Sequence, residues 1–458
     1  MTPTFADPAA PSRPLHVVAA DALDRWIEAQ PVETAVWLRD AGFRAGLGEV
    51  ALLPGAGGKV AGAVVGFGTA KTRARSRFGL ARAVAVLPAG DWHFTGLAPE
   101  HRAEAALGWL LAQYRFDRYK PASTVLPGLK CPEGVDEGRI LAMAAGECLT
   151  RDLINTPAQD MGPAELEVAF LALAERFGAA TEVVAGADLE RGFPMIHAVG
   201  KGSDRAPRLL ALRWGQRGPS VTLVGKGVCF DTGGLNLKPS SGMQLMKKDM
   251  GGAATVMGLA QMIMQLNLPL RLRVIVPAVE NSVSGRAMRP KDILTSRKGL
   301  TVEVNDTDAE GRLVLGDALA WAAEENPELL ISMATLTGAA RVAVGPDLAP
   351  YYTDDESLAA ALEAGAKQGA DPVWRLPFHD AYESVIEPGI ADLDNAPGFG
   401  FAGSITAALF LRRFADHPRY IHFDIYGHTP SDAPARPKGG VGQGARAILQ
   451  GLPDMLGL

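Results

Sequence analysis

The stretch VTLVGKGVCFDTGGLNLKP, residues 221–239, changes character after its fifth residue. Residues 221–225 form an apolar run, partly β-branched, that predicts a buried strand. The glycine-rich segment that follows carries three charged side chains, Lys226, Asp231 and Lys238. In an α/β sheet, ligands bind beyond the carboxyl ends of the strands. The stretch therefore predicts a sheet strand with a ligand site at its end.

Further strands and helices alternate along the second part of the chain. Apolar runs predict strands at 272–279, 300–304, 329–336 and 419–426, and helical patterns separate them at 252–266, 312–325 and 403–414. This alternation predicts an α/β fold in which a mixed, largely parallel sheet is covered by helices on both faces. Two of these strands also run into unusual segments, namely NDTDAEGR and TGAA.

The first part of the chain, to about residue 145, mixes helical and strand-like pieces. A helical pattern at 100–114 has candidate buried positions at Ala105, Leu107, Leu110, Leu111 and Tyr114. A second helical pattern at 135–154 ends near Pro157, since the residue before a proline disfavours helix. We therefore predict two domains: a smaller α/β N-terminal domain at residues 1–148 with a linker helix at its end, and a larger domain at residues 149–458.

Composition and charge exclude several classes of protein. The 458 residues are 47% hydrophobic and 21% charged, with a formal net charge of -6, which is typical of a globular protein and gives no sign of a nucleic-acid footprint. No apolar stretch approaches the roughly 20 residues that span a bilayer, and the first residues lack a secretory pattern. The three cysteines form no CxxC pair. We expect a cytoplasmic protein without a membrane partner.

The segment NDTDAEGRL, residues 305–313, crowds Asp306, Asp308, Glu310 and Arg312 together. Neighbouring carboxylates raise one another's pKa unless a cation compensates them. A bound cation would remove this repulsion, so the segment indicates a metal site.

Four carboxylates are the strongest metal-ligand candidates: Asp231, Asp249, Asp308 and Glu310. Together they carry as much negative charge as two divalent cations carry positive charge, and paired metals about 3.5–4 Å apart form a known catalytic arrangement. Lys226 could join them only as a neutral amine, and nearby metals would lower its pKa as required. These ligands do not fix the metal, because zinc, manganese, magnesium and cobalt all accept oxygen donors with one amine.

Several motifs resemble those of the leucyl aminopeptidases, the zinc-dependent exopeptidases of the cytosol aminopeptidase (peptidase M17) family. DTDAEGRL stands where the family has NTDAEGRL, while GKG…FDTGG…K and MKKDMGGAA match two further family segments. Three more matches are RDLINTPAQDM (151–161), ATLTGA (334–339) and GSITAALFL (403–411). The resemblance covers most of residues 150–450 and thins in the first domain to fragments such as LLAQYRFDRYK (110–120).

The resemblance implies a catalytic di-metal peptidase domain at residues 149–458. Such an enzyme releases N-terminal residues, leucine and other mainly apolar ones, from peptides with a free N-terminus. Asp231 and Glu310 would bridge two divalent metal ions, with zinc expected and manganese as the alternative. Lys226 and Asp249 would complete the tighter metal site. The carboxylate and backbone carbonyl of Asp308 would complete the more exchangeable one.

The resemblance also implies roles in catalysis and binding. Lys238 would polarise the scissile carbonyl and stabilise the oxyanion. Arg312 cannot itself act as a base, because a guanidinium does not deprotonate in proteins; in the family it holds a bicarbonate ion that accepts the proton from water. Pocket or backbone contacts with the substrate would come from Met246, Thr335, Leu336 and Gly338. A homohexamer is expected from the resemblance alone.

Two departures from the family pattern stand out. Asp306 replaces the usual Asn and adds a negative charge beside the metals. Tyr426, His428 and Pro430 lie where the family often has an Ala and a Trp, so local packing near the substrate pocket is expected to differ.

Other interpretations of these residues stay open. Arg312 could simply pair with Glu310 at a helix start, and HFDIYGH (422–428) could suggest a histidine metal site, although its HFD portion matches a buried family strand. A protein that binds DNA through its first domain is one alternative function, which the charge disfavours. A two-metal phosphoesterase would use the same carboxylates but gains nothing from the motifs.

Overall fold

The computed structural model describes residues 3–458, which divide into two compact units. The first unit is Met1–Cys148 with Ser431–Lys438, and the second is Leu149–Pro430 with Gly439–Leu458. No pattern in residues 431–438 predicts that they group with the first unit. Within the described residues, no helix combines the length and apolar character that crossing a membrane requires.

The first unit is built around a five-stranded sheet. Its strands are β1 (Arg13–Ala19), β2 (Val50–Pro54), β3 (Val60–Gly68), β4 (Asp91–Thr95) and β5 (Gly128–Leu129). Their order is β2-β3-β1-β4-β5, and only the β2–β3 pair is antiparallel. The helices are α1 (Leu23–Glu28), α2 (Val32–Asp40), α3 (Ala70–Arg73), α4 (Pro99–Ala112) and α5 (Glu137–Asn155), the last of which continues into the second unit.

Helix α4 follows from its sequence. Pro99 occupies the first turn, where its missing N–H costs no hydrogen bond and its fixed φ suits the helix. The five positions predicted to be buried in this region are all buried, which confirms that pattern. Trp109 of α4 packs with Trp92 of β4 in the core of this unit.

The second unit contains the larger set of elements. Its strands are β6 (Ala180–Ala185), β7 (Arg208–Trp214), β8 (Ser220–Gly225), β9 (Gly227–Asp231), β10 (Arg271–Asn281), β11 (Ile293–Thr295), β12 (Thr301–Glu303), β13 (Leu329–Ala334), β14 (Ala349–Tyr352), β15 (Val373–Arg375), β16 (Leu393–Asp394), β17 (Tyr420–Asp424), β18 (His428–Thr429) and β19 (Gly439–Gly440). Its helices are α6 (Pro163–Arg176), α7 (Gly186–Gly192), α8 (Pro194–Gly200), α9 (Ser240–Met243), α10 (Gly251–Gln265), α11 (Gly311–Ala323), α12 (Gly338–Val344), α13 (Glu356–Gln368), α14 (Gly403–Ala415) and α15 (Ala445–Leu456).

A nine-stranded mixed sheet forms the centre of this unit. The order is β15-β14-β17-β13-β8-β10-β7-β6, and β9 pairs with the end of β10. The central strands β17, β13, β8 and β10 are parallel, whereas β7, β6 and β14 supply antiparallel pairs. The predicted mixed, largely parallel sheet is confirmed.

Helices cover both faces of this sheet. The crossover β8–α10–β10 and the return to β13 through α11 run in opposite directions, and right-handed connections then place α10 and α11 on opposite faces. Leu315 and Leu319 of α11 share one core cluster with Val224 and Ile275 of the sheet. Helix α10 is buried from Gly251 to Met264, as expected for an apolar helix without a polar face.

The segment predicted as a strand at 300–304 does not join this sheet. It forms β12 in a separate three-stranded sheet with β11 and β16. A tight connection explains the difference: Ser296 N–H donates to Leu300 O and Gly299 N–H to Ser296 O, so β12 folds back on β11 as a local hairpin.

Candidate metal centre

The predicted ligands converge at the carboxyl ends of β8 and β13. Lys226 directly follows β8, and its backbone N–H donates to Met333 O of β13 at 3.0 Å. Asp249 lies on a short 3-10 helix, Met246–Met250, that leads into α10. Glu310 is the residue before α11. Strand ends and helix starts thus bring these side chains to one edge of the sheet, as the strand pattern predicts.

Gly311 permits this convergence. A Cβ atom at this position would lie 2.5 Å from Lys226 Cε and 2.7 Å from Lys226 Nζ. Any larger residue at the start of α11 would therefore displace Lys226 from the carboxylates. Close packing against Lys226 therefore explains the glycine of the DAEGR motif, and the sequence alone does not reveal this contact.

Three buried side chains form the inner group, defined as Lys226, Asp249 and Glu310. Lys226 Nζ lies 2.8 Å from Asp249 Oδ2 and 3.0 Å from Glu310 Oε1, and it donates to Thr335 O at 3.0 Å. The side chains of the group are no more than 5% exposed. Burial lowers the pKa of Lys226, but attraction to Asp249 and Glu310 outweighs burial and raises that pKa above its usual value.

The outer group, defined as Lys238, Asp231 and Asp308, has the same plan. Lys238 Nζ lies 2.8 Å from Asp231 Oδ2 and also forms an ion pair with Asp308 Oδ1. Asp231 ends β9, and its Oδ1 accepts hydrogen bonds from Gly233 N–H at 2.8 Å and Asn281 Nδ2 at 2.9 Å. The Lys238 and Asp308 side chains are 14% and 30% exposed, so this group opens towards solvent.

The two groups meet at three carboxylates. Asp231, Asp308 and Glu310 each offer an oxygen, and these oxygens lie within 4.8 Å of one another. Burial and then repulsion from Asp231 raise the pKa of Asp308 to about 7 and hold that of Glu310 well above its usual range. The raised pKa values show that the two lysine ammonium groups do not fully compensate the negative charge of these carboxylates.

Unsatisfied oxygen atoms show that the residues present fit divalent cations. Asp249 Oδ2, Asp308 Oδ1 and Glu310 Oε1 are buried and receive no well-directed hydrogen bond from residues 3–458, although lysine ammonium groups lie within ion-pair distance. Buried polar atoms of this kind need a partner. Hard oxygen donors are the ligands that divalent cations such as Mg²⁺ and Mn²⁺ prefer.

Arg312 lies in the first turn of α11 and is buried. Its Nε has no hydrogen-bond partner in the described part of the chain, and the alternative ion pair with Glu310 does not form there. Burial lowers the pKa of Arg312 to about 10, against attraction from Asp424 and Glu310. The guanidinium remains charged and has a donor to offer to an anion.

The predicted substrate residues occupy neighbouring positions. Thr335 Oγ1 donates to Asp249 Oδ1 at 2.9 Å, which joins the end of β13 to the inner group. Leu336 N–H donates to Asp424 Oδ1 at 3.1 Å. Its carbonyl is therefore the backbone group of Leu336 that can contact the substrate. Gly338 is exposed at the start of α12, and a Cβ there would meet nothing within 4 Å. Met246 is half-buried at the start of its 3-10 helix.

Polar residues that the sequence analysis missed hold these loops in place. Asn281 Nδ2 donates to Asp231 Oδ1 and to Thr307 O, both at 2.9 Å. Asp424 accepts hydrogen bonds from both Thr337 N–H at 2.9 Å and Ser404 Oγ at 2.7 Å. Asn281 and Asp424 are the last residues of β10 and β17, so the strand-end rule could have found both.

The two departures have local explanations. Asp306 Oδ1 accepts the Asp308 N–H at 2.8 Å, an interaction that an Asn oxygen would also make. Tyr426 lies under two cations, with Lys248 Nζ 4.9 Å and Arg341 Cζ 5.2 Å from its ring centre. His422 is buried on β17, where its Nδ1 lies 2.8 Å from Ser332 Oγ, and it takes no part in the carboxylate cluster.

Comparison with known proteins now identifies the family. The profile of the cytosol aminopeptidase family, catalytic domain, matches residues 148–449, and that of the M17 aminopeptidase N-terminal domain matches residues 13–132. The chain belongs to the cytosol aminopeptidase family. As a member of this family it is a peptidase, a metal-dependent aminopeptidase, which favours the peptidase over the phosphoesterase alternative.

Relatives of this aminopeptidase extend over nearly its whole length. A probable cytosol aminopeptidase of Chlorobaculum tepidum is 37% identical over 90% of each chain, and one of Shewanella oneidensis is 40% identical over 77% of this chain and 72% of the relative. The crystal structure of a cytosol aminopeptidase from Coxiella burnetii superposes with a TM-score of 0.93 at 40% identity, covering 98% of both chains. The bottromycin maturation enzyme BotP, solved in complex with Mn, superposes at 0.86 with 32% identity over 97% of this chain and 99% of BotP.

Proposed function

We propose that this aminopeptidase releases leucine and other mainly apolar N-terminal residues with the help of two divalent cations. The observation that carries the proposal is the set of buried, unsatisfied carboxylate oxygens between the inner and outer groups. Asp231 and Glu310 would bridge the two cations, because both lie within 4.8 Å of Asp308 and each faces a different lysine. Bound cations would polarise the scissile carbonyl and lower the pKa of the attacking water.

The residues that would complete each metal site, beside the two bridging carboxylates, differ in burial. Lys226, as a neutral amine, and Asp249 would complete the tighter site, and Asp308 the more exchangeable one. Lys226 Nζ is already within 3.0 Å of both Asp249 and Glu310, so loss of one proton would turn it from an ion-pair donor into a ligand. The Asp308 side chain, 30% exposed, suits faster exchange.

Two cationic side chains would assist the reaction. Lys238, whose ammonium already lies against the outer carboxylates, would donate to the developing oxyanion. Arg312, with its unsatisfied Nε, would hold a bicarbonate ion that accepts a proton from water. Asp249 would also bind the substrate's amino group, which restricts cleavage to the first peptide bond.

The remaining assignments follow the family. Met246, Thr335 and Gly338 would line the pocket for the first side chain, and the backbone of Leu336 and Gly338 would bind the substrate. Zinc is the proposed metal and manganese the alternative, which the Mn complex of BotP supports. We also propose a cytoplasmic location, in keeping with the names of the relatives, and a homohexamer, which rests on the resemblance to the family alone.

Acetylation of the substrate tests the reaction class. An N-acetyl group removes the positive charge and the lone pair of the amine, and sites built around polar groups reject such analogues by roughly 10⁴-fold or more. Leucyl amides and leucyl dipeptides should therefore be cleaved and their N-acetyl forms should not. Mass spectrometry that detects internal fragments released from an N-acetylated peptide would show an endopeptidase and overturn the proposal.

A further inference from the structure

Lys248 is a buried basic side chain whose pKa burial lowers to about 8, against attraction from Asp249. Its residue is 8% exposed, and it neither donates a hydrogen bond to nor forms an ion pair with any residue in the described part of the chain. The adjacent Lys247 behaves differently, because its Nζ donates to Asn155 O at 2.6 Å. Burial of an unpaired charge is strongly unfavourable, and the contact of Lys248 Nζ with the Tyr426 ring compensates only a small part of it.

Arg341 is a second cation over the same ring. It lies on α12, and its Cζ is 5.2 Å from the Tyr426 ring centre. Arg341 is exposed and forms no ion pair with any residue from 3 to 458. A guanidinium that stacks on an aromatic ring keeps its in-plane N–H donors free, and these suit a carboxylate in bidentate geometry.

The position of this cluster connects it to the metal centre. Lys248 precedes Asp249 on the same 3-10 helix. Gly427, next to Tyr426, lies against Thr335, since a Cβ at Gly427 would be 3.1 Å from Thr335 Cγ2. Thr335 in turn donates to Asp249. Two basic side chains that form no ion pair within residues 3–458 thus lie beside the proposed pocket for the first side chain.

We propose that Lys248, Arg341 and Tyr426 form a binding site for a carboxylate of the peptide substrate. The inference rests on the proposed aminopeptidase function and extends its substrates to acidic peptides. The carboxylate comes either from a glutamyl or aspartyl first residue or from the free carboxyl terminus of a dipeptide. In both cases the anion supplies the direct ion pair that Lys248 does not form with residues 3–458.

Two pairs of peptides that differ by one charge distinguish the two sources. Glu-Leu-amide against Gln-Leu-amide tests the first side chain, and Leu-Leu against Leu-Leu-amide tests the terminal carboxylate. In the wild type, the acidic member of one pair should have the higher kcat/KM. Arg341→Gln and Lys248→Met should lower that ratio by about tenfold or more, as expected for a lost charge-assisted hydrogen bond. Comparison within one variant cancels any change in metal affinity.

A matched control and a binding measurement complete the test. Arg217→Gln removes an exposed charge just before β8, at the opposite end of that strand from Lys226, and should leave both ratios at wild-type values. Calorimetric binding of glutamate against glutamine, neither of which has a peptide bond to cleave, should show the same loss in Arg341→Gln if the first side chain carries the carboxylate. Ratios and relative affinities that do not change in Arg341→Gln and Lys248→Met would overturn the carboxylate site. Failure of the wild type to cleave Leu-Leu-amide would instead contradict the aminopeptidase proposal, and the binding arm would still decide for or against the site.

Discussion

The inner and outer groups share one plan, a lysine between two carboxylates, but they differ in burial. The inner side chains are no more than 5% exposed, whereas Lys238 and Asp308 of the outer group are 14% and 30% exposed. The inner group comes from a strand end and two helix starts, and Lys238 and Asp308 come from loops. Charges interact more strongly and are screened less in a buried site, so the inner group should dominate metal retention. The outer group is placed where substrate can reach it.

Loss of an inner carboxylate should have the largest effect. Asp249→Ala removes a proposed metal ligand, so metal content and activity should fall together. Loss of a residue that only hydrogen-bonds to a metal ligand costs up to about 100-fold. Because Asp249 is a proposed direct ligand, we expect kcat/KM to fall by more than about 100-fold. Inductively coupled plasma mass spectrometry measures the metal, and Asp188→Ala, at an exposed aspartate, is the control. Full activity of Asp249→Ala with two metals bound would show that Asp249 is not a metal ligand and that the inner group does not dominate metal retention.

A change in the outer group should separate catalysis from metal binding. Lys238→Ala leaves every proposed ligand in place and removes one oxyanion donor, which typically costs about 10²–10³ in turnover. We expect kcat to fall by this amount while two metals remain bound, and Lys367→Ala on α13 should match the wild type in both. Loss of metal in Lys238→Ala would instead assign this lysine to the metal site.

Arg312 tests whether an external anion joins the two groups. Arg312→Ala should lower turnover less than Lys238→Ala does, and added bicarbonate should restore part of it, because the anion and not the guanidinium accepts the proton. Steady-state rates with and without bicarbonate give the answer. Arg312→Lys keeps the positive charge but lacks the bidentate guanidinium, so its turnover should lie between that of the wild type and that of Arg312→Ala. An unrescued loss as large as that of Lys238→Ala, with normal folding, would indicate a structural role.

Asp306→Asn should have the smallest effect. The Asn oxygen can still accept the Asp308 N–H, so the free energy of unfolding should change by about 1 kcal/mol or less. Denaturant unfolding measures this change, and titration with zinc and manganese shows whether the extra charge of Asp306 alters metal preference. A large loss of stability would show that the carboxylate holds the loop in a way that an amide cannot.

The sequence was sufficient where one local pattern determines the outcome. The runs at 221–225 and 272–279 form most of β8 and β10, and the run at 329–336 contains all of β13, because short apolar runs rich in β-branched residues are readily buried in a sheet. The segment at 300–304 forms a strand as predicted, β12, but it joins a separate sheet because its hairpin partner β11 lies directly before it along the chain. Pairing partners depend on contacts that a single segment does not encode.

The polar details of the site were harder to predict for the same reason. Lys247 and Lys248 are identical neighbours in sequence, yet only Lys248 is buried, because the 3-10 helix directs it towards Tyr426. Asn395, whose Nδ2 donates to Asp306 O at 2.7 Å, follows a two-residue strand that has no recognisable pattern. Side chains that act through distant partners leave little trace in the sequence around them.

The segment Ser431–Lys438 has a consequence for inheritance. Because it groups with the first unit, the chain passes between the units three times, after residues 148, 430 and 438. A single genetic crossover near residue 148 would exchange most of the first unit with a homologue but leave these eight residues from the other parent. Shuffling of this domain as an independent cassette therefore requires a second, matched exchange close to the carboxyl terminus. Sequence change in the first unit and in this short segment should be linked in descent.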